Sequence, residues 1–125
     1  MKLEAYNRFC GALPATSHVV QWGGAHVWKV GGKVFAIGGW NGGPAEESAE
    51  LFVTFKVSDL AYDILKEQPG CRPAPYLASR GMIWLQRQTD DTVDDAALKD
   101  YLRESHWLAS LNLPKRVQRE LGLNP

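Results

Sequence analysis

Apolar residues first recur at three- and four-residue steps, at Leu3, Tyr6, Cys10 and Leu13. That spacing lines one face of a helix over residues 3–13, and Pro14 stops it. The period then shortens to two. His18–Trp22, His26–Val30 and Lys33–Ile37 read as strands joined by Gly23-Gly24 and Gly31-Gly32. Gly-Gly accepts the positive φ angles of a two-residue hairpin turn. With two residues in each turn, counting sets Val30 opposite Lys33, Trp28 opposite Phe35 and Val19 opposite Trp28. Val19, Trp28 and Phe35 then share the core face.

Gly38–Ser48, with Pro44, Glu46 and Glu47, reads as a glycine-rich loop with Trp40 either exposed on it or folded back over the sheet. Glu50–Val57 is a fourth strand with Leu51, Val53, Phe55 and Val57 on one face. Ser58 is suited to cap a helix over Asp59–Gln68 whose apolar side is Leu60, Ile64 and Leu65. Pro69-Gly70 ends it, and Cys71–Arg80, with Pro73 and Pro75, reads as irregular. Met82–Arg87 is a fifth strand. Thr92-Val93-Asp94-Asp95 resembles a capping box for a helix running to about Asn112, with Leu98, Tyr101, Leu102, Ser105, Leu108 and Ala109 as its buried stripe. Pro114 opens a last short helix that ends near Gly122. This order predicts an α+β two-layer sandwich: an antiparallel sheet of about five strands with the helices packed on one face.

Composition narrows the partners more than the fold. A chain of 125 residues predicts a single domain spanning residues 1–125, with no internal repeat. Fourteen basic and fourteen acidic residues cancel, which argues against strong nonspecific DNA binding. The charge is nevertheless uneven. Lys66, Arg72, Arg80 and Arg87 face only Glu67 between residues 66 and 89, whereas Asp90, Asp91, Asp94, Asp95 and Asp100 crowd the next eleven. Cys10 and Cys71 match no zinc or redox spacing. Without an apolar signal segment or membrane-length run, the expectation is a cytoplasmic, monomeric protein that does not engage membranes.

Candidate chemistry is sparse. Gly38–Gly43 lacks the Gly-Lys-Ser/Thr ending of a phosphate loop. His18, His26 and His106 fall in no metal-ligand spacing, so neither metal nor cofactor is expected. A solvated place suits His26 after its turn, and the C-terminal helix dipole suits a charged His106. The aspartates near residue 94 read as first-turn helix residues. Two basic groups remain: Arg72, Tyr76 and Arg80 around the proline loop, and Lys115, Arg116 and Arg119 on the last helix. Cations with an interleaved aromatic are what a nucleic-acid backbone and its bases require.

Ordered along nearly the whole chain, several short stretches resemble the MmcQ/YjbR family of small bacterial proteins. They are Phe9-Cys10-Gly11-Ala12-Leu13-Pro14, His26–Val30 with Gly31-Gly32-Lys33-Val34-Phe35-Ala36, Phe55-Lys56-Val57, Pro73-Ala74-Pro75-Tyr76-Leu77 and Leu113-Pro114-Lys115-Arg116-Val117. The resemblance implies a frataxin-like sandwich and a double-wing mode of DNA binding. Where that family often carries His-Trp after the proline loop, this chain has Gly81-Met82, with Trp84 two residues on. The first helix holds only Glu4, so the iron chemistry of frataxins is not expected. The functional expectation is a non-catalytic DNA-binding or regulatory accessory protein with weak, backbone-dominated contacts. The alternative is a protein- or small-ligand-binding module using the sheet face and the Trp40 loop.

Overall fold

The computed structural model describes residues 1–40 and 50–124, so the glycine-rich loop expected over Gly38–Ser48 lies outside the described residues from position 41 on, and Gly38 itself ends a strand. The elements are α1 (Leu3–Gly11), β1 (Thr16–Gln21), β2 (Ala25–Val30), β3 (Lys33–Gly38), β4 (Val53–Lys56), α2 (Asp59–Leu65), β5 (Cys71–Pro73), a 3₁₀ turn (Ala78–Arg80), β6 (Trp84–Arg87), α3 (Asp95–Ser110) and α4 (Lys115–Glu120). The strands form one antiparallel sheet in the order β1-β2-β3-β4-β6-β5. The strand beyond the five expected is β5, Cys71–Pro73, which the prolines mark as irregular. Pro73 is tolerated there because β5 is an edge strand and Pro73 is its last residue.

All four helices contribute to one apolar core on one face of this sheet. Tyr6 and Cys10 come from α1, Leu65 from α2, Leu98, Leu102 and Ala109 from α3, and Val117 from α4. They meet Trp28, Val30, Phe35, Phe55 and Leu85 of the strands. Tyr6 lies so close over Gly38 that a Cβ there would sit 2.5 Å from the ring, and its hydroxyl donates to the His26 carbonyl at 2.8 Å. Gly31-Gly32 forms the two-residue turn expected, with Val30 opposite Lys33. Ser58 and Asp94 cap α2 and α3 by accepting from Ala61 N and Ala97 N. The cap of α3 is therefore Asp94 rather than Thr92.

The β1–β2 register departs from the two-residue count. Gln21 pairs with Ala25, so the turn holds Trp22, Gly23 and Gly24, and Trp22 adopts φ 53°. One extra turn residue moves every side chain of β1 to the opposite face. Val19 pairs with Val27, not Trp28, and points away from the helices, where it is exposed together with the turn residue Trp22. His18 takes the place opposite Trp28. Between β2 and β3 the register shifts again. Trp28 pairs with Ala36 and Lys29 with Val34, leaving Phe35 as the extra residue of a β-bulge. Phe35 is fully buried in the main core all the same.

The bulge has a partner on α3. Ala36 pairs with Phe55, so the next pair of the β3–β4 ladder would be Phe35 and Lys56, yet they do not pair. Ser105 spans the gap: its hydroxyl donates to the Phe35 carbonyl at 2.6 Å and accepts from the Lys56 N–H at 2.8 Å. On α2 the expected apolar side is only partly buried. Leu65 is inside, whereas Leu60 and Ile64 are 70% and 55% exposed, because the helix ends after seven residues and offers one edge to the core.

Candidate functional site

The face opposite the helices is apolar at one side and charged at the other. A single row of paired residues crosses it: Val19, Val27, Ile37, Thr54, Gln86 and Arg72. Arg72 donates through Nε to Gln86 Oε1 at 2.8 Å, and Gln86 donates through Nε2 to Thr54 Oγ1 at 3.3 Å. Thr54 and Gln86 are fully buried, so this pairing meets a real need for buried polar groups. Arg72 stands at the exposed end of the relay.

The proline loop after β5 lies over this face. Ala74 N–H bonds to the Trp84 carbonyl, and Leu77 packs against Ala25, Val27 and Ile37 together with Val34 and Trp40. Tyr76 meets Trp40 with ring centres 5.9 Å apart, and Trp40 meets Trp22 at 5.9 Å. The three rings thus form a series. Tyr76 is 74% exposed, Trp22 52%, and Trp40 is half-buried beneath them. All three residues have left-handed backbone, with φ of 67°, 53° and 66°. Bulky side chains rarely adopt it, and such positions concentrate where a fold holds groups for binding.

The six basic and aromatic residues singled out from the sequence fall into two groups. Arg72, Tyr76 and Arg80 belong to the proline-loop side, Arg80 exposed at the end of the 3₁₀ turn. Lys115, Arg116 and Arg119 lie on α4, which packs on the helix side at the β2–β3 turn: a Cβ on Gly31 would sit 2.7 Å from Leu113 Cδ1 and 3.0 Å from Leu121 Cδ1. Arg116 also pairs with Glu120 at 3.6 Å.

Three groupings were not legible from linear motifs. First, His18 Nε2 lies 3.0 Å from His26 Nδ1, His18 stacks on Trp28 at 4.6 Å, and Asn7 bridges Trp28 and His26. His26 is therefore half-buried rather than solvated, and burial first and His18 second hold its imidazole below the ordinary range. The β1–β2 register was the signal, and the turn count concealed it. Second, His106 is buried, bonded through Nε2 to the Pro14 carbonyl at 2.8 Å and edge-on to Phe35. Burial lowers its pKa, outweighing the backbone bond, so it is a neutral core group and not a dipole-stabilised cation. Third, Arg87 is fully buried: it reaches Asp95 at 3.0 Å and Glu50 at 3.2 Å, with both carboxylates also meeting the Met1 amino group. Its Nε donates to the Val93 carbonyl. Cys10 and Cys71 are both buried free thiols. Among the described residues no three His, Cys, Asp or Glu side chains gather to hold a metal ion, and no helix is long and apolar enough to cross a membrane.

Helices on one face of an open, six-stranded antiparallel sheet, and a loop-borne aromatic series on the other, define an α+β protein of the open-faced sandwich class. The chain belongs to the YjbR family, whose model matches residues 11–108. Its fold is similar to the crystal structure of the Deinococcus radiodurans protein DR2400, which carries a DUF419 domain. The TM-score is 0.81 at 21% identity, covering 98% of this chain and 88% of that one. No curated protein matches the chain.

Proposed function

We propose that the chain is a non-catalytic DNA-binding accessory module that takes a separated strand on the proline-loop face of its sheet. The observation that carries this reading is the ring series Trp22–Trp40–Tyr76, lying on the same face as Arg72. Exposed rings offer π-faces on which bases stack, and each stacked base contributes about 1–3 kcal/mol. Arg72 and Arg80 supply cations for the phosphates, and the double-wing mode that the resemblance implies points the same way. Two cations and zero net charge fit weak binding, with a dissociation constant of roughly 10⁻⁴–10⁻⁶ M.

The test is anisotropy of labelled single-stranded and duplex oligonucleotides at two salt concentrations. Two phosphate contacts on a single strand give a slope of about −1.4 in log–log form, whereas three contacts to duplex through Lys115, Arg116 and Arg119 give about −2.7. Tyr76→Ala weakens strand binding at least about fivefold if one stacked base is lost. Lys115→Ala with Arg116→Ala leaves it unchanged. If only the double substitution acts, the interface is α4. If no oligonucleotide binds at low salt, DNA is not the ligand. The zero net charge favours a second reading on the same surface, an uncharged aromatic small ligand, which tryptophan fluorescence would detect.

A further inference from the structure

The sheet has two edges, β1 and β5, and they are built differently. An edge strand presents unpaired N–H and C=O groups to any other strand, and folds blunt it by shortness, charge or proline. β5 has all three devices: it is three residues long, carries Arg72 and ends on Pro73. β1 has none of them. It runs for six residues, Thr-Ser-His-Val-Val-Gln, without Asp, Glu, Lys, Arg or Pro, and it pairs with β2 without a bulge. In an antiparallel ladder, residues that bond to the neighbour alternate with residues that turn away from it. Gly31 N–H bonds to the Ala15 carbonyl, one position beyond the Thr16–Val30 pair, so Ser17, Val19 and Gln21 turn toward β2. Thr16, His18 and Val20 turn their backbone groups outward, and among the described residues nothing bonds to them there. Ser17, His18, Val19 and Val20 are exposed, so both faces of β1 are open and no element overhangs the edge. The His18 ring leans the other way, flat over Trp28 of β2.

We propose that β1 pairs with β1 of a second copy of this chain across a two-fold axis, joining two six-stranded sheets into one of twelve strands, a role independent of the DNA reading. Identical strands paired antiparallel are self-complementary, because every contact occurs twice. The register follows from which groups face outward. With His18 opposite the partner's His18, Thr16 stands opposite the partner's Val20, and the three outward residues of each copy exchange both bonds, six in all. A slip of two residues in either direction keeps only two of those three pairs. On one face Val20, 53% exposed, meets the methyl group of the partner's Thr16, and on the other Val19 meets the partner's Ser17. β1 brings no carboxylate, ammonium or guanidinium group to the seam, so the edge matches its own copy and offers nothing to select a charged foreign strand. Six residues of edge bury less than the about 800 Å² per partner of a standard interface, so the dimer is weak and reversible.

Sedimentation velocity of the full chain from about 20 µM to about 1 mM, with amide exchange followed by NMR at both ends of that range, tests the pairing. The expected result is a monomer–dimer equilibrium with no larger species. The amides of Thr16, His18 and Val20 exchange at least about threefold more slowly at the high concentration. Val20→Pro removes an outward N–H that β2 does not use, so the β1–β2 ladder is retained, and a melting curve verifies this. It weakens association at least about tenfold, whereas Val20→Thr leaves it in place. Should Val20→Pro fail to fold, the exchange of the three amides in the parent chain decides. A monomer at every concentration overturns the proposal and leaves the edge to a foreign strand. A dimer in which those three amides are unchanged, or one retained in full by folded Val20→Pro, overturns it and places the interface elsewhere.

Discussion

Replacing Ser105 by Ala removes the single hydroxyl that closes the gap made by the Phe35 bulge. Ser105 is fully buried and joins three elements, since it sits on α3 and bonds to β3 and β4. Alanine leaves the buried Phe35 carbonyl without a donor and the Lys56 N–H without an acceptor. An unsatisfied buried polar group costs about 1–3 kcal/mol. Lys56 is half-buried, so its share falls at the lower end, and alanine regains a few tenths through helix propensity. The net loss comes to about 2–4 kcal/mol. Urea unfolding followed by circular dichroism measures it. With a slope of about 1–3 kcal/mol per molar, a loss of about 3 kcal/mol moves the midpoint by about 1–3 M at unchanged slope. Ser110→Ala is the control. That serine is equally buried, but its hydroxyl donates to the Trp107 carbonyl, which already accepts from Leu111 N–H, and accepts from the amide of the exposed Asn124, which water and Gln118 Oε1 can satisfy instead. Its loss is expected to be about 1 kcal/mol. A Ser105→Ala protein within about 0.5 kcal/mol of the parent, or equal to Ser110→Ala, would show that Ser105 does not bridge the bulge.

Two further predictions concern the core and its titration. Gly31→Ala is expected to cost about 1–3 kcal/mol, because the residue has φ 54° and its Cβ would strike Leu113 and Leu121. Part of that cost should disappear in a Leu113→Ala background, which a double-mutant cycle in urea would show. His106 has a folded pKa below its unfolded value, so the unfolded chain binds the extra proton first. Its contribution is complete above the ordinary histidine range and is lost as pH falls through the folded value. Stability should therefore decline on acidification from about pH 7, and the slope should be shallower in His106→Gln; equal slopes would contradict the neutral, buried assignment.

The apolar pattern alone determined most elements of this protein. Leu3, Tyr6 and Cys10 lie buried on α1 as their spacing requires, Leu98, Leu102, Ser105 and Ala109 do so on α3, and Gly31-Gly32 makes the two-residue turn. These features depend on neighbours within one or two turns of chain, and local periodicity encodes them. The pattern also separated helices from strands well enough to give an antiparallel sheet backed by helices.

Tertiary structure decided whatever depended on a count of one. Trp22 joined the turn with Gly23 and Gly24, and that single residue took Val19 off the core face and brought His18 to His26 and Trp28. The bulge at Phe35 is stable because Ser105, seventy residues later, satisfies both backbone groups it frees. Arg87 is buried because Asp95, eight residues on, and Glu50, thirty-seven residues back, converge on it. The two basic groups of the sequence carried no sign of their relative placement; Arg72 and Lys115 lie on opposite sides of the sheet because α4 packs with the helices and the proline loop crosses the other face. Strand side chains alternate with a period of two, so a one-residue change in a turn exchanges faces, and no local propensity is strong enough to fix that count.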